Sequence, residues 1–62
     1  MYHIKSEKGE YVTVKGMDAM LTNNIQMAYT YQFKEQAEKN LPIFERILDI
    51  KLIVIKGDGG KR

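Results

Sequence analysis

Residues 33–56, FKEQAEKNLPIFERILDIKLIVIK, decide the fold of this chain. In the first part of this stretch an apolar residue recurs every three or four positions, which is the period of an amphipathic helix. The apolar stripe consists of Phe33, Ala37, Leu41, Phe44 and Leu48. We therefore predict one long helix that begins near Gln32 or Phe33 and needs an apolar surface to cover its stripe.

Pro42 lies in the middle of this helix. A proline inside a helix removes one backbone donor, clashes with the preceding turn and costs about 3 kcal/mol. It also disfavours helical geometry at the residue before it. Two outcomes remain open, a helix that is bent at Pro42 or a helix that ends near Asn40 and is followed by a second short one. Because the stripe stays in phase across the proline, we favour one bent helix.

The segment Asp49 to Lys56 is the strongest strand prediction in the chain. The even-numbered apolar residues from 50 to 54 would point to one face, and Ile53 and Ile55 to the other. Apolar residues on both faces are typical of strands that are covered on both sides, whereas a single helix covers only one. We therefore predict a homodimer in which a second copy of the chain contacts Ile53 and Ile55.

The N-terminal half contains a second β region. Residues 2–15, YHIKSEKGEYVTVK, alternate in polarity and are rich in β-branched and aromatic residues, which predicts a β-hairpin with Gly9 in its turn. Residues 17–22 have no clean period and are predicted to form a loop. A polar residue at 22–24 is placed to cap a short helical turn, and residues 29–31 are predicted to form an extended connector.

Together these elements predict an α+β fold. Its sheet would have three strands, antiparallel or mixed, built from the hairpin and the C-terminal strand, with one bent amphipathic helix packed on one face. We expect a single domain over residues 1–56 and a flexible tail over residues 57–62, GDGGKR, which has no apolar residue to hold it. A chain of 62 residues buries only about 60% of its unfolded surface, so oligomerisation would add needed stability.

No constellation of residues indicates catalysis. His3 is the only histidine and cysteine is absent, so we predict no metal site and no cofactor. The glycines of the tail lack the spacing of a phosphate-binding loop. We expect that the protein is not an enzyme. No apolar run is long enough for a membrane span, and the first residues lack the apolar core of a signal peptide, so we expect a cytoplasmic protein.

Two sets of residues are candidates for binding. Tyrosine and methionine offer large, adaptable contact area, and the candidate partner-binding residues of this type are Tyr11, Met17, Met20, Tyr29 and Tyr31. The net charge is +2. The excess of positive charge lies near the C-terminus, where the candidate nucleic-acid-binding residues are Lys51, Lys56, Lys61 and Arg62. A basic end is more often simply solvated than a docking site, so nucleic-acid binding is the alternative rather than the first hypothesis.

Residues 2–37 also carry a recognisable pattern. The first part reads Y-x-I-K-x-x-x-G-x-Y-[LV], with matches at Tyr2, Ile4, Lys5, Gly9, Tyr11 and Val12. The second part reads T-x-[ND]-I-x-x-A-x-x-[FY] and is followed by an alanine in a helix rich in Lys and Glu; its matches are Thr22, Asn24, Ile25, Ala28, Tyr31 and Ala37. In this pattern the chain resembles a group of small proteins from phages and prophages of Gram-positive bacteria. It departs from them at Phe33, where a capping residue is usual, and in its longer second half.

The resemblance implies a context rather than an active site. Very short phage proteins without catalytic residues often bind a larger host protein of replication, transcription or defence and disable or redirect it. We therefore expect a protein-binding adaptor or inhibitor whose partner is a host protein.

Overall fold

The computed structural model describes residues 1–57, which form a four-stranded antiparallel sheet with one long helix against one of its faces. The elements in chain order are β1 (Tyr2–Ser6), β2 (Tyr11–Lys15), β3 (Asp18–Thr22), a 3-10 turn (Ile25–Met27), α1 (Lys34–Leu48) and β4 (Leu52–Lys56). The strand order across the sheet is β3-β2-β1-β4. The α+β prediction is confirmed, and the prediction of three strands is wrong.

The additional strand is β3, in the segment that was predicted to be a loop. Lys15 pairs with Asp18, so only Gly16 and Met17 connect β2 to β3. Gly16 has a φ of 64°, and glycine at the first central position of a two-residue connection is typical of a hairpin turn. The residues of β3, DAMLT, include few strong strand formers. Pairing with β2, rather than local propensity, therefore decides the conformation of this segment.

β4 begins three residues later than predicted. Asp49 adopts a left-handed conformation with a φ of 55°, which ends α1, and the chain turns before it enters the sheet at Leu52. The Leu52 N–H donates to Glu45 Oε2 at 2.9 Å, so a helix side chain holds the start of the strand. β4 then runs along the whole of β1, from the Ser6–Leu52 pair to the Tyr2–Lys56 pair.

The two strands of the predicted N-terminal hairpin separate beyond their turn. Gly9 supplies a φ of 91° in the turn, but the β1–β2 pairing is limited to Lys5 and Tyr11. The connector predicted for residues 29–31 fills the gap. Tyr31 exchanges two backbone hydrogen bonds of 2.8 Å with Tyr2 of β1, and the Tyr29 N–H donates to the Val12 carbonyl of β2. This connector is therefore part of the sheet's hydrogen bonding.

The long helix continues through its proline. α1 contains Pro42 as an exposed residue, so the prediction of one helical unit is correct and a break at Asn40 does not occur. The helix begins after Phe33, which is exposed and provides no side-chain cap. Phe33 therefore does not belong to the buried stripe, in contrast to the prediction. The buried core consists of Ile4, Val12, Tyr31, Ala37 and Leu52, and the other four residues of the predicted stripe contribute to it.

Candidate protein-contact surface

The sheet leaves one of its faces without a helix. Val12 and its partner Leu21 belong to the core beneath α1. Because successive side chains of a strand point to opposite faces, the neighbouring pair of Thr13 and Met20 points the other way. We call this second side the open face. It also carries Ile53.

Three methionines lie at the β2–β3 end of the molecule. We call Met17, Met20 and Met27 the methionine surface. Met17 is fully exposed at the tip of the β2–β3 hairpin, and Met20 is 49% exposed on β3. The Thr13 hydroxyl donates to the Met27 carbonyl oxygen at 2.7 Å, which fixes the 3-10 turn beside the Thr13–Met20 pair. The local sequence explains this turn, because the Asn24 side chain accepts a hydrogen bond from the Gln26 N–H as its cap.

The three candidate tyrosines have different environments. Tyr11 is half-buried on the open face, with its ring edge-on to His3 and Lys5 Nζ 6.0 Å from its centroid. Tyr29 is exposed. Tyr31 is only 7% exposed and belongs to the core. The structure therefore removes Tyr31 from the set of contact residues, because its backbone bonds to Tyr2 bring the side chain beneath α1.

Burial also changes the acidity of Tyr31. The pKa of its phenol is raised from 10.0 to about 12, mainly because burial desolvates the charged form. The nearby phenol of Tyr29, whose ring centroid is 4.9 Å away, contributes to this increase, and a hydrogen bond with the Asn40 side chain opposes it. Tyr31 is therefore a neutral structural group near pH 7.

His3 has a structural environment as well. It is buried, and its Nδ1 lies 3.2 Å from the Tyr29 carbonyl oxygen. A carbonyl only accepts hydrogen bonds, so Nδ1 carries the proton in this contact. The other side of the ring is close to Gly57, where an added Cβ would lie 2.5 Å from Nε2. These contacts fasten the connector and the end of β4 to β1.

The two predicted dimer residues differ in exposure. Ile53 is 48% exposed and Ile55 is half-buried, and both lie on the open face opposite Lys5 and His3 of β1. Their position on the side away from α1 is as predicted. Neither residue is covered by another element as completely as Leu52 is on the helix side.

The two candidate nucleic-acid-binding residues in the described part of the chain lie apart. Lys51 and Lys56 are exposed and lie at opposite ends of β4, whereas Lys61 and Arg62 lie outside the described residues. Gly57, the first residue of the predicted tail, donates its N–H to the Met1 carbonyl at 2.7 Å. The remainder of that tail also lies outside the described residues.

A second exposed apolar patch lies on the outer side of α1. Ile43 and Ile47 are both more than half exposed, and with Pro42 and Arg46 they line a shallow cavity of about 230 Å³. This patch was not predicted from the sequence, because it lies outside the main apolar stripe of the helix. The i, i+4 spacing of the two isoleucines was the available signal.

Within residues 1–57, no group of three or more His, Cys, Asp or Glu side chains is arranged to hold a metal ion. None of the helices in that range is both long and apolar enough to cross a bilayer.

Comparisons with protein-family models, curated proteins and solved structures give no match for this chain.

Proposed function

We propose that this protein is a small phage-derived adaptor or inhibitor that binds a larger host protein of replication, transcription or defence. The observation that carries the proposal is the methionine surface, where exposed apolar side chains cluster on a fixed backbone. The phage context rests on the sequence pattern of residues 2–37.

The composition of this surface suits a protein partner. Methionine is unbranched and flexible, so it fits irregular apolar contours and is common at adaptable binding surfaces. Its backbone here is nevertheless ordered, because the Thr13–Met27 and Asn24–Gln26 hydrogen bonds hold the turn. Binding would therefore require ordering of side chains but little ordering of backbone, which lowers its entropic cost.

Tyr29 is a second contact residue in this proposal. It is exposed, and it lines a polar depression together with helix residues Gln36, Lys39 and Asn40. A tyrosine ring offers a large rigid contact area with a hydrogen-bonding tip. Tyr29 is the first residue of the connector and follows the 3-10 turn of the methionine surface by two residues.

Affinity capture from a Gram-positive host lysate tests the proposal. The wild-type chain should retain a specific host protein, which mass spectrometry identifies. Met20→Lys combined with Met27→Lys should abolish retention, because a charge in an apolar contact is left desolvated and unpaired.

Ile43→Lys combined with Ile47→Lys is the matched control, since it places the same two charges at exposed apolar residues on the outer side of α1. It should retain the partner, and circular dichroism should show all variants folded. If only the control failed to retain the partner, the contact surface would be the patch of Ile43 and Ile47 on the outer side of α1. Absence of any retained protein with the wild-type chain would contradict the proposed function.

A further inference from the structure

β4 is an edge strand, and the direction of its backbone groups follows from its neighbour β1. Tyr2 exchanges both of its backbone hydrogen bonds with Tyr31, and the Ser6 N–H donates within the β1–β2 hairpin. These groups point away from β4. In a strand, successive residues direct their backbone groups to alternate sides, so His3 and Lys5 bond to β4.

The pairing register carries this alternation into β4. Its two isoleucines pair with His3 and Lys5 and therefore direct their N–H and C=O groups towards β1. The even-numbered residues from 52 to 56 direct theirs outward. The Leu52 N–H agrees with this, because it donates to the Glu45 carboxylate rather than to β1. Within residues 1–57, the backbone groups of Val54 and Lys56 have no partner on this outer side.

Edge strands of monomers are usually protected by prolines, bulges or charged side chains, especially lysine. β4, LIVIK, has no proline and pairs with β1 without a bulge, and its single charged residue, Lys56, lies at its end. The edge is thus a template for one more strand.

We propose that two copies of this chain pair through their β4 edges, antiparallel about a two-fold axis at Val54, to form one continuous eight-stranded sheet. In this register the Val54 residues exchange both of their backbone hydrogen bonds. Each Lys56 N–H donates to the Leu52 carbonyl of the second copy, and Leu52 can keep its N–H bond to Glu45.

The side chains are complementary in this register. Ile53 lies opposite Ile55 of the second copy, which covers the exposed isoleucine of the open face. Lys56 lies opposite Leu52 of the second copy, on the side of the sheet that carries α1. Because Glu45 holds the Leu52 N–H, each Lys56 ammonium then lies beside a Glu45 carboxylate of the other copy. No like charges face each other across the strand pair.

A groove beside the edge supports the same arrangement. Lys34, Glu38 and Leu41 of α1 line it together with Ile53 and Val54 of β4, around a volume of about 410 Å³. The second copy would approach along this groove. The two half-buried apolar residues of the groove, Leu41 and Val54, would then be covered by the second copy.

Analytical ultracentrifugation of the purified chain tests the proposal, without any host protein and therefore independently of the capture experiment. The wild-type chain should form a dimer, and its Val54 and Lys56 amides should become protected from hydrogen exchange as concentration increases. Val54→Pro removes the outward N–H and should give a folded monomer, since proline is tolerated where an edge N–H faces outward.

Lys56→Glu is the second variant, at an exposed residue whose change leaves the core intact. Two exposed ion pairs would change from attraction to repulsion, which corresponds to roughly a tenfold increase in the dimer dissociation constant. Lys39→Glu makes the same change of charge on the other side of α1, beside Tyr29, and should leave the dimer unchanged. A wild-type chain that stays monomeric at roughly millimolar concentration, or a dimer that withstands both edge variants, would overturn the proposal.

Discussion

At Tyr31 a single side chain joins the sheet, the core and the helix. Its backbone completes the ladder with Tyr2, its ring packs with Ala37 and Ile4 in the core, and its hydroxyl meets the Asn40 side chain. The sequence pattern identified Tyr31 only as an aromatic residue before the helix. Nothing local to residues 29–31 indicates which tyrosine is buried, because that depends on a pairing with residue 2.

The raised pKa of Tyr31 makes the stability of the fold sensitive to alkaline pH. Between the unfolded value of 10.0 and the folded value of about 12, the unfolded chain binds fewer protons than the folded one, so the free energy of unfolding decreases as pH increases. Below pH 10.0 the phenol is protonated in both the folded and the unfolded chain, so the free energy of unfolding does not yet decrease. We expect Tyr31→Phe to be less stable near pH 7 but to lose less stability between pH 10 and 12 than the wild type.

Urea unfolding at a series of pH values measures this difference. Ile47→Ala is the control, because it changes an exposed position and leaves every titratable group in place, so its pH dependence should run parallel to that of the wild type. If the free energy of unfolding depended on pH in the same way in the wild type and in Tyr31→Phe, the raised pKa of Tyr31 would be contradicted.

At the scale of elements, α1 tolerates Pro42 because packing outweighs local propensity. Proline lacks the N–H that would bond to the Glu38 carbonyl four residues earlier. The apolar residues on either side, Leu41 and Phe44, nevertheless pack against the core. Burial of a large apolar side chain contributes about 1.5–3 kcal/mol, so these contacts are sufficient to hold the helix together.

Pro42→Ala should therefore stabilise the protein. The substitution restores a helix hydrogen bond at an exposed position and removes the steric clash, with a gain of up to about 3 kcal/mol. The melting temperature and the urea midpoint both report the change. Ile43→Ala, at the next exposed helix position, should change stability by less than about 0.5 kcal/mol. A loss of stability in Pro42→Ala would show that the proline is required for the shape of the helix.

The elements also show what can be read from the sequence and what cannot. The turn at Gly9, a cap within residues 22–24, the phase of the stripe across Pro42 and the two faces of β4 are local patterns, and each was predicted. The structure selects Asn24 as the cap. β3 was missed because Ala19 and Met20 are weak strand formers and only the Gly16 turn indicated a hairpin. The separation of β1 from β2 was missed because it depends on the distant connector.

For the contact surface, Met20 and Tyr29 are exposed as predicted, whereas Tyr31 is not.

At the scale of the whole molecule, stability depends on very few buried side chains. For 62 residues a typical free energy of unfolding is about 3–9 kcal/mol. The largest fully buried side chains are Ile4 and Val12, and Ala37 of α1 is wholly buried. Each of these positions therefore carries a large share of the total.

Ile4→Ala should leave much of the protein unfolded at 25 °C. Removal of a fully buried isoleucine costs about 2–5 kcal/mol, which is comparable with the whole stability of a domain of this size. Circular dichroism and urea titration measure the loss. Ile47→Ala, at an exposed position, should unfold at nearly the wild-type denaturant concentration. An Ile4→Ala variant as stable as this control would mean that the core lies elsewhere.

The gap between β1 and β2 also has a consequence for the order of events during synthesis. β1 pairs with β2 only beside their turn, and its other partners, the connector around Tyr31 and residues 52–56, come later in the chain. While the chain is still emerging from the ribosome, β2 and β3 are the strands that can pair locally over their whole length. Ile4, which pairs with Val54, therefore stays exposed to water until residues 52–56 have been released. During synthesis β1 is the strand most vulnerable to aggregation and proteolysis.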